Sequence, residues 1–160
     1  MTAELDASAP PKLPPRWIIR AIWRGHRTLV RLTGGRVGLA RPTTGRAGML
    51  RLHTVGRRTG IERSVIVCYI ADGSRLVTLA MNGWGAPEPA WWRNLQANPD
   101  ASVDLSGLAR RVHARAAVGE ERARLWHLVQ GTAGWGDDLN AMATLRGDVE
   151  TAVVVLEPHE

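Results

Sequence analysis

The period of the hydrophobic pattern changes along the chain. In residues 16–32, apolar Trp17, Ile18, Ile19, Ile22, Trp23, Leu29, Val30 and Leu32 surround Arg16, Arg20, Arg24, Arg27 and Arg31, which recur at spacings of four and three. Side chains at those spacings share a helix face, so the segment reads as an amphipathic helix with an arginine stripe. Residues 33–48 hold five glycines and a proline without periodicity and read as a connecting loop. From residue 50 the period becomes two: Leu50, Leu52 and Thr54 alternate with Arg51, His53 and Val55, the pattern of a strand with one wet face. Residues 63–70 form a β-branched-rich run suited to a buried strand. Asp72-Gly73 is a turn signal, and residues 76–80 supply the second hairpin arm. Residues 101–105 and 110–118 make a further pair around Ser106-Gly107, with Val112, Ala114, Ala116 and Val118 on one face, and 151–156 is a last short strand.

Helices interrupt these strands. Pro89 suits the first turn of a helix that runs to Asn98 and stops at Pro99. Residues 120–130 form another, with two acids at its positive end. A third is expected over 137–146. Five or six hairpin-connected strands with peripheral helices indicate an antiparallel α+β domain built as a closed or half-closed barrel. At 160 residues the chain suits one core. Residues 1–15, acidic and then proline-rich, are expected to be a flexible leader, and 16–160 a single domain.

Composition narrows the function classes. No apolar run is long enough to span a membrane, and the N-terminus lacks the basic start and apolar stretch of a secretion signal. The one cysteine, Cys68, excludes an internal disulfide and suits a reducing, cytoplasmic setting. Cys68 reads as a small buried hydrophobe; a catalytic thiol would need His or Arg beside it in space. The formal charge is +6, and Lys12 is the only lysine among 21 basic residues. Arginine grips phosphate or carboxylate through paired hydrogen bonds, although a GC-rich genome produces the same bias. The stripe on the first helix is open to three readings: arginines in water, an anionic membrane surface, or a cover over a ligand. No nucleic-acid recognition module is present, and the aromatic residues are not interleaved with the stripe.

Three stretches carry candidate chemistry. Thr54-Val55-Gly56-Arg57-Arg58-Thr59-Gly60 joins two strands, with glycines bracketing arginines and a threonine. Glycine allows close backbone approach, and exposed amides in such a turn hold anions. The same residues would also serve as an ordinary solvated hairpin loop. The segment from Ala80 through Met81, Asn82, Gly83 and Trp84 to Pro87 can set amides and an indole against a flat ring, or simply lead a strand into a helix. In Pro89-Ala90-Trp91-Trp92-Arg93-Asn94-Leu95-Gln96-Ala97-Asn98-Pro99, adjacent tryptophans cannot face the same way, so one is expected inward and one on a groove. The five histidines lack metal-ligand spacing, and no metal is expected. Neither a G-x-S-x-G elbow, a Walker loop nor a GxGxxG loop occurs, which disfavours hydrolases and Rossmann enzymes.

In this order and at these spacings the three stretches resemble the deazaflavin (F420)-dependent nitroreductase family. The family shows a T-x-G-R-[KR]-[ST]-G turn, a following arginine, a DG hairpin, a small-residue loop and then P-x-W-[YW]-x-N-L-x-A-N-P. Here these are Thr54 to Gly60, Arg63, Asp72-Gly73, Asn82-Gly83 and Pro89 to Pro99, with a weaker match at the closing Val153-Val154-Val155-Leu156-Glu157-Pro158. The resemblance implies a split β-barrel of the flavin-reductase/pyridoxamine-phosphate-oxidase type. It also implies hydride transfer from reduced coenzyme F420 to an activated double bond, a quinone or a nitro compound. Thr54, Gly56, Arg57, Arg58, Thr59, Gly60, Arg63 and Ser64 would hold the cofactor's phosphate and acidic tail. Met81, Asn82, Gly83, Trp84, Pro89, Trp91, Trp92 and Asn94 would line its ring, with Trp17 and Trp135 on the substrate side. The stretch Ala133-Gly134-Trp135-Gly136 contains none of the tyrosines common there in the family, so the substrate is not carried over. Split barrels also host flavin mononucleotide (FMN) and haem, and these are the alternative cofactors. A small-molecule substrate, no nucleic acid, a homodimer and peripheral membrane contact through the first helix complete the expectations.

Overall fold

The computed structural model describes residues 15–33, 38–81, 87–135, 139–144 and 150–159. Alternation builds the first strand. β1 (Gly48–Val55) buries Leu50, Leu52 and Thr54 and turns Arg51, His53 and Val55 outward, as the period of two predicts. It pairs antiparallel with β2 (Glu62–Asp72), Leu52 opposite Val65 and Leu50 opposite Val67. β3 (Arg75–Leu79) follows through the Asp72-Gly73 turn, where Gly73 has φ +64°. β4 (Asp100–Leu105), β5 (Leu108–Ala116) and β6 (Val153–Pro158) complete a closed six-strand barrel in the order β1-β2-β3-β6-β5-β4. Each pairing is antiparallel.

The barrel interior holds Leu50, Leu52, Val103, Val112, Val154 and Leu156, together with Leu95 of α2 (Ala90–Ala97). A second apolar cluster lies between the β3–β6 side and α3 (Gly119–Gln130), where Leu125 and Val129 meet Val77, Val153 and Val155. It includes Leu139 of α4 (Leu139–Thr144), the described part of the helix expected over 137–146. The first helix, α1, spans Arg16–Leu32 as predicted. Among the described residues no helix is long and apolar enough to cross a membrane.

Three details differ from the sequence reading. β5 ends at Ala116, and Val118 is 71% exposed rather than in the inward row. The Ala117 amide donates to Val153 O and closes the barrel there, which frees Val118 to become the N-cap of α3. β6 starts two residues later than expected. The 33–48 loop is also partly ordered by pairing, with Ala40 and Met49 exchanging backbone hydrogen bonds. A Cβ at Gly48 would collide with the Ala40 carbonyl and Pro42, so glycine is required where this segment crosses β1.

Candidate cofactor-binding site

The turn between β1 and β2 is self-contained. Gly60 N–H donates to Gly56 O at 2.8 Å, Gly56 N–H to Ile61 O at 2.9 Å, and Ile61 N–H to the Thr59 hydroxyl at 3.3 Å. Gly60 sits at φ +66°, and a Cβ on Gly56 would lie 2.9 Å from Thr59 Oγ1, so both glycines serve the turn's shape. The expected concavity of free amides is therefore corrected: most of these N–H groups close the turn itself. Its arginine side chains, by contrast, are uncommitted. Arg57, Arg58 and Arg63 are exposed and form no ion pair among the described residues. The pKa of Arg57 is drawn down, chiefly by partial loss of hydration and then by the positive charges of Arg93 and Arg58. An anion placed among these guanidinium groups relieves that repulsion.

A buried clamp fixes the turn to α2. Asn94, 5% exposed, accepts from the Arg57 amide at 3.2 Å and donates to the Thr54 hydroxyl at 3.2 Å. Thr54, 2% exposed, passes the chain on to Arg63 O at 3.5 Å. Both side chains border the cavity, but their polar atoms are spent inside the protein. They hold the arginines in place rather than reaching for a ligand.

The cavity of about 590 Å³ extends from this turn along β2. β2 reaches β3 only from Ile70 onward, because β3 continues on β6 instead. The earlier half of β2 is thus a sheet edge. The Gly56–Ile61 hydrogen bond sets the ladder's alternation, which turns the backbone groups of Ser64 and Ile66 away from β1 toward this edge. Ser64 to Val67 line the cavity wall, with Met81, Pro89, Ala90 and Trp91 completing it. One end is cationic and the rest is apolar with peptide edges, a combination that fits a phosphate-bearing tail joined to a flat ring. No histidine or carboxylate appears in this lining among the described residues.

Of the sequence-predicted site residues, the structure brings together Thr54, Gly56, Arg57, Arg58, Thr59, Arg63, Ser64, Met81, Pro89, Trp91 and Asn94 around the cavity, with Gly60 in the turn. Asn82, Gly83 and Trp84 lie outside the described residues. Trp92 is a correction. Both tryptophans are buried, edge to face at 6.4 Å, and Trp92 borders a different depression beside Ala117 and Arg122. Trp135, 3% exposed, belongs to the cluster under α3 and α4, and Trp17, 70% exposed, does not line the cavity. Sequence reasoning missed Arg20, which α1 brings to the rim. The stripe was visible, but not where the helix lies. Cys68 is half-buried with its Sγ 3.7 Å from Gly134 O, and burial pushes the thiol pKa up, the opposite of activation.

The model of the F420H(2)-dependent quinone reductase family matches residues 22–158. F420H(2)-dependent quinone reductase Rv1261c of Mycobacterium tuberculosis is 32% identical over 120 residues, 71% of this chain and 79% of that protein. A solved F420-H2 dependent reductase, FDR-A, superposes with a TM-score of 0.59 at 24% identity, over 68% of this chain and 93% of that one. A second structure, described as a domain-swapped dimer, gives 0.63 at 24% identity, over 86% and 99%. These two likenesses bear on the split-barrel fold. With the family match spanning the whole barrel, this chain belongs to the F420H(2)-dependent quinone reductases.

Proposed function

We propose that this protein reduces a quinone with reduced F420, binding the cofactor in the cavity along β2. The observation that carries the reading is the group of unneutralised arginines, Arg57, Arg58 and Arg63, at one end of a cavity whose other end is apolar. Reduced F420 supplies the hydride when bound. The protein's own part is to bind and orient. The turn's guanidinium groups and the Thr59 hydroxyl take the anionic tail, and the Asn94–Thr54 clamp fixes their height above the barrel. The β2 edge offers peptide groups at Ser64 and Ile66 to the polar rim of a ring, while Val65, Met81 and Trp91 exclude water from its face. Among the described residues the lining offers no carboxylate or imidazole, so the proton that completes quinone reduction comes from solvent or a nearby hydroxyl such as that of Ser64.

Fluorescence titration with F420 tests this. Arg57→Ala and Arg58→Ala should each weaken binding about tenfold or more, as loss of a charge-assisted hydrogen bond does. Unchanged binding in both variants removes the turn from the site. A yellow flavin or a haem absorption band on the purified protein would instead favour the alternative cofactors.

A second observation concerns α1. Trp17, Ile22, Leu29 and Leu32 are all exposed, Leu32 at 81%. We infer that this apolar strip, flanked by Arg20 and Arg24, rests on an anionic membrane surface, where lipid-soluble quinones reside. Co-sedimentation with phosphatidylglycerol vesicles should be lost in Trp17→Ser/Leu32→Ser. A doubled mass by light scattering that halves in this variant would assign the strip to a homodimer.

A further inference from the structure

Outside the cavity, one side-chain cluster stands apart. Asp100 opens β4, His113 lies directly opposite it on β5, and His159 follows the end of β6. The three residues therefore come from three adjacent strands, Asp100 and His159 at strand ends and His113 within β5. The His159 amide donates to Arg111 O at 3.1 Å, which places its ring beside that of His113. Asp100 Oδ1 is 2.9 Å from His113 Nδ1 and 3.2 Å from His159 Nε2. All three donor atoms lie within 4.8 Å of one another, and all three residues are exposed. The imidazole planes stand at 74° with centroids 6.4 Å apart, so the nitrogens approach from different directions rather than from a stack.

We propose that Asp100, His113 and His159 form a surface site for a divalent transition-metal ion of the zinc class. Two imidazole nitrogens and one carboxylate oxygen are the ligand set such ions prefer, whereas magnesium and calcium seek all-oxygen shells. Metal–ligand bonds of about 2 Å place neighbouring ligand atoms roughly 3–3.5 Å apart, close to the 2.9 and 3.2 Å that already separate Asp100 Oδ1 from the two imidazoles. Water fills the remaining positions at this exposed location. Glu157, opposite His113 on β6, is committed to Arg115 at 2.9 Å and is not a fourth ligand. The Asp100 amide is itself held by Asn98 Oδ1 at 3.3 Å, so the carboxylate starts from a fixed backbone. A bound ion would rivet the last residues of the chain to β4 and β5, at the foot of α2. The role is structural, because the cluster joins three neighbouring strands and lies outside the cavity wall.

Isothermal titration of zinc chloride into the metal-stripped full chain tests the site, with magnesium chloride as control. One zinc per chain with micromolar affinity is expected, with no magnesium binding. His113→Ala and His159→Ala should each weaken zinc by about tenfold or more. Zinc at a hundredfold excess over its dissociation constant should raise the Tm of the parent protein by roughly 5 °C and leave both variants unmoved. Where His113→Ala lowers the zinc-free melt, His113→Gln takes its place. No zinc binding, or binding that survives both substitutions because His26, His53 or His127 holds the ion, overturns the proposal.

Discussion

Two arginine-rich regions of this barrel are wired in opposite ways. On the face formed by the β2–β3 turn, β5 and α3, three arginines meet three carboxylates. Asp72 accepts from Arg75 at 2.5 Å and from Arg124 at 2.8 Å. Glu121 bridges Arg75 at 3.0 Å and Arg115 at 2.6 Å, and Arg115 reaches on to Glu157. At the cavity, Arg20, Arg57, Arg58 and Arg63 share a rim that contains no carboxylate among the described residues. Arg41, Arg46 and Arg111 likewise form no ion pair among the described residues, but they lie outside the cavity. The same residue type thus has two uses. Where arginine fastens elements together, its charge is neutralised within the fold. Where it gathers unpaired around a concave surface, the fold has retained electrostatic repulsion that an anion removes.

The largest effect expected from probing this contrast is at Asn94, which ties the unpaired region to the core. Asn94→Ala leaves the Arg57 amide without its partner and takes the donor away from the buried Thr54 hydroxyl, which keeps only Arg63 O. Loss of a hydrogen-bond partner at a covered group costs about 1–3 kcal/mol, so urea unfolding should show that loss. F420 affinity should fall with it, because the turn's arginines lose their anchor. Stability lost with affinity intact would mean that the turn's position does not matter to binding. A smaller effect is expected in the paired region. Arg115→Ala should cost about 1 kcal/mol, a fall in Tm of roughly 2–4 °C, with F420 affinity unchanged.

The paired region also sets the acid limit. Hydrogen bonds from Arg124 hold the Asp72 carboxyl below its usual range, and those from Arg115 do the same for Glu121. A depressed carboxylate pKa gives stability that is fully present above the unfolded value of about 4 and is lost as pH falls through the lower folded value. Tm should therefore hold from neutral pH to about 5 and drop below 4. Arg115→Ala should soften that drop. An identical acid profile in the variant would show that these pairs do not link folding to protons.

Much of the barrel is legible in the sequence because its determinants are local. The alternation of Leu50, Leu52 and Thr54 and the Asp72-Gly73 turn each act within a few residues. The arginine-bearing turn is legible for the same reason. What escaped depends on register and packing. Val118 leaves the inward row only because the Ala117 amide finds Val153 across the barrel. Trp92 borders its own depression because α2 seats Leu95 in the core and successive helix residues point in different directions. The amides of the turn looked available for an anion, yet a six-residue connection closes on itself through Gly56, Gly60 and Ile61. Arg20 reaches a cavity built from residues more than thirty positions away. His113 and Asp100 are joined by strand pairing, and no linear spacing rule anticipates that His159 will meet them.

The smallest effect separates the two regions by salt alone. Charges in water feel one another over a screening length of about 10 Å at 0.1 M salt and about 3 Å at 1 M. The cavity arginines are solvent-facing and act on an incoming anion from outside contact distance, so much of their attraction lies within reach of screening. The network around Glu121 is different: its partners already touch at 2.6 to 3.0 Å, and Asp72 is mostly covered, so mobile ions have little room between them. Raising sodium chloride from about 0.05 M to about 0.5 M should therefore weaken F420 binding several-fold while moving Tm by no more than about 1 °C. In Arg57→Ala/Arg58→Ala the salt dependence of binding should flatten, because the charges responsible for it are gone. If salt lowered Tm as steeply as it weakened binding, the paired network would be a loose surface array, and the distinction between structural and ligand-seeking arginines would fail.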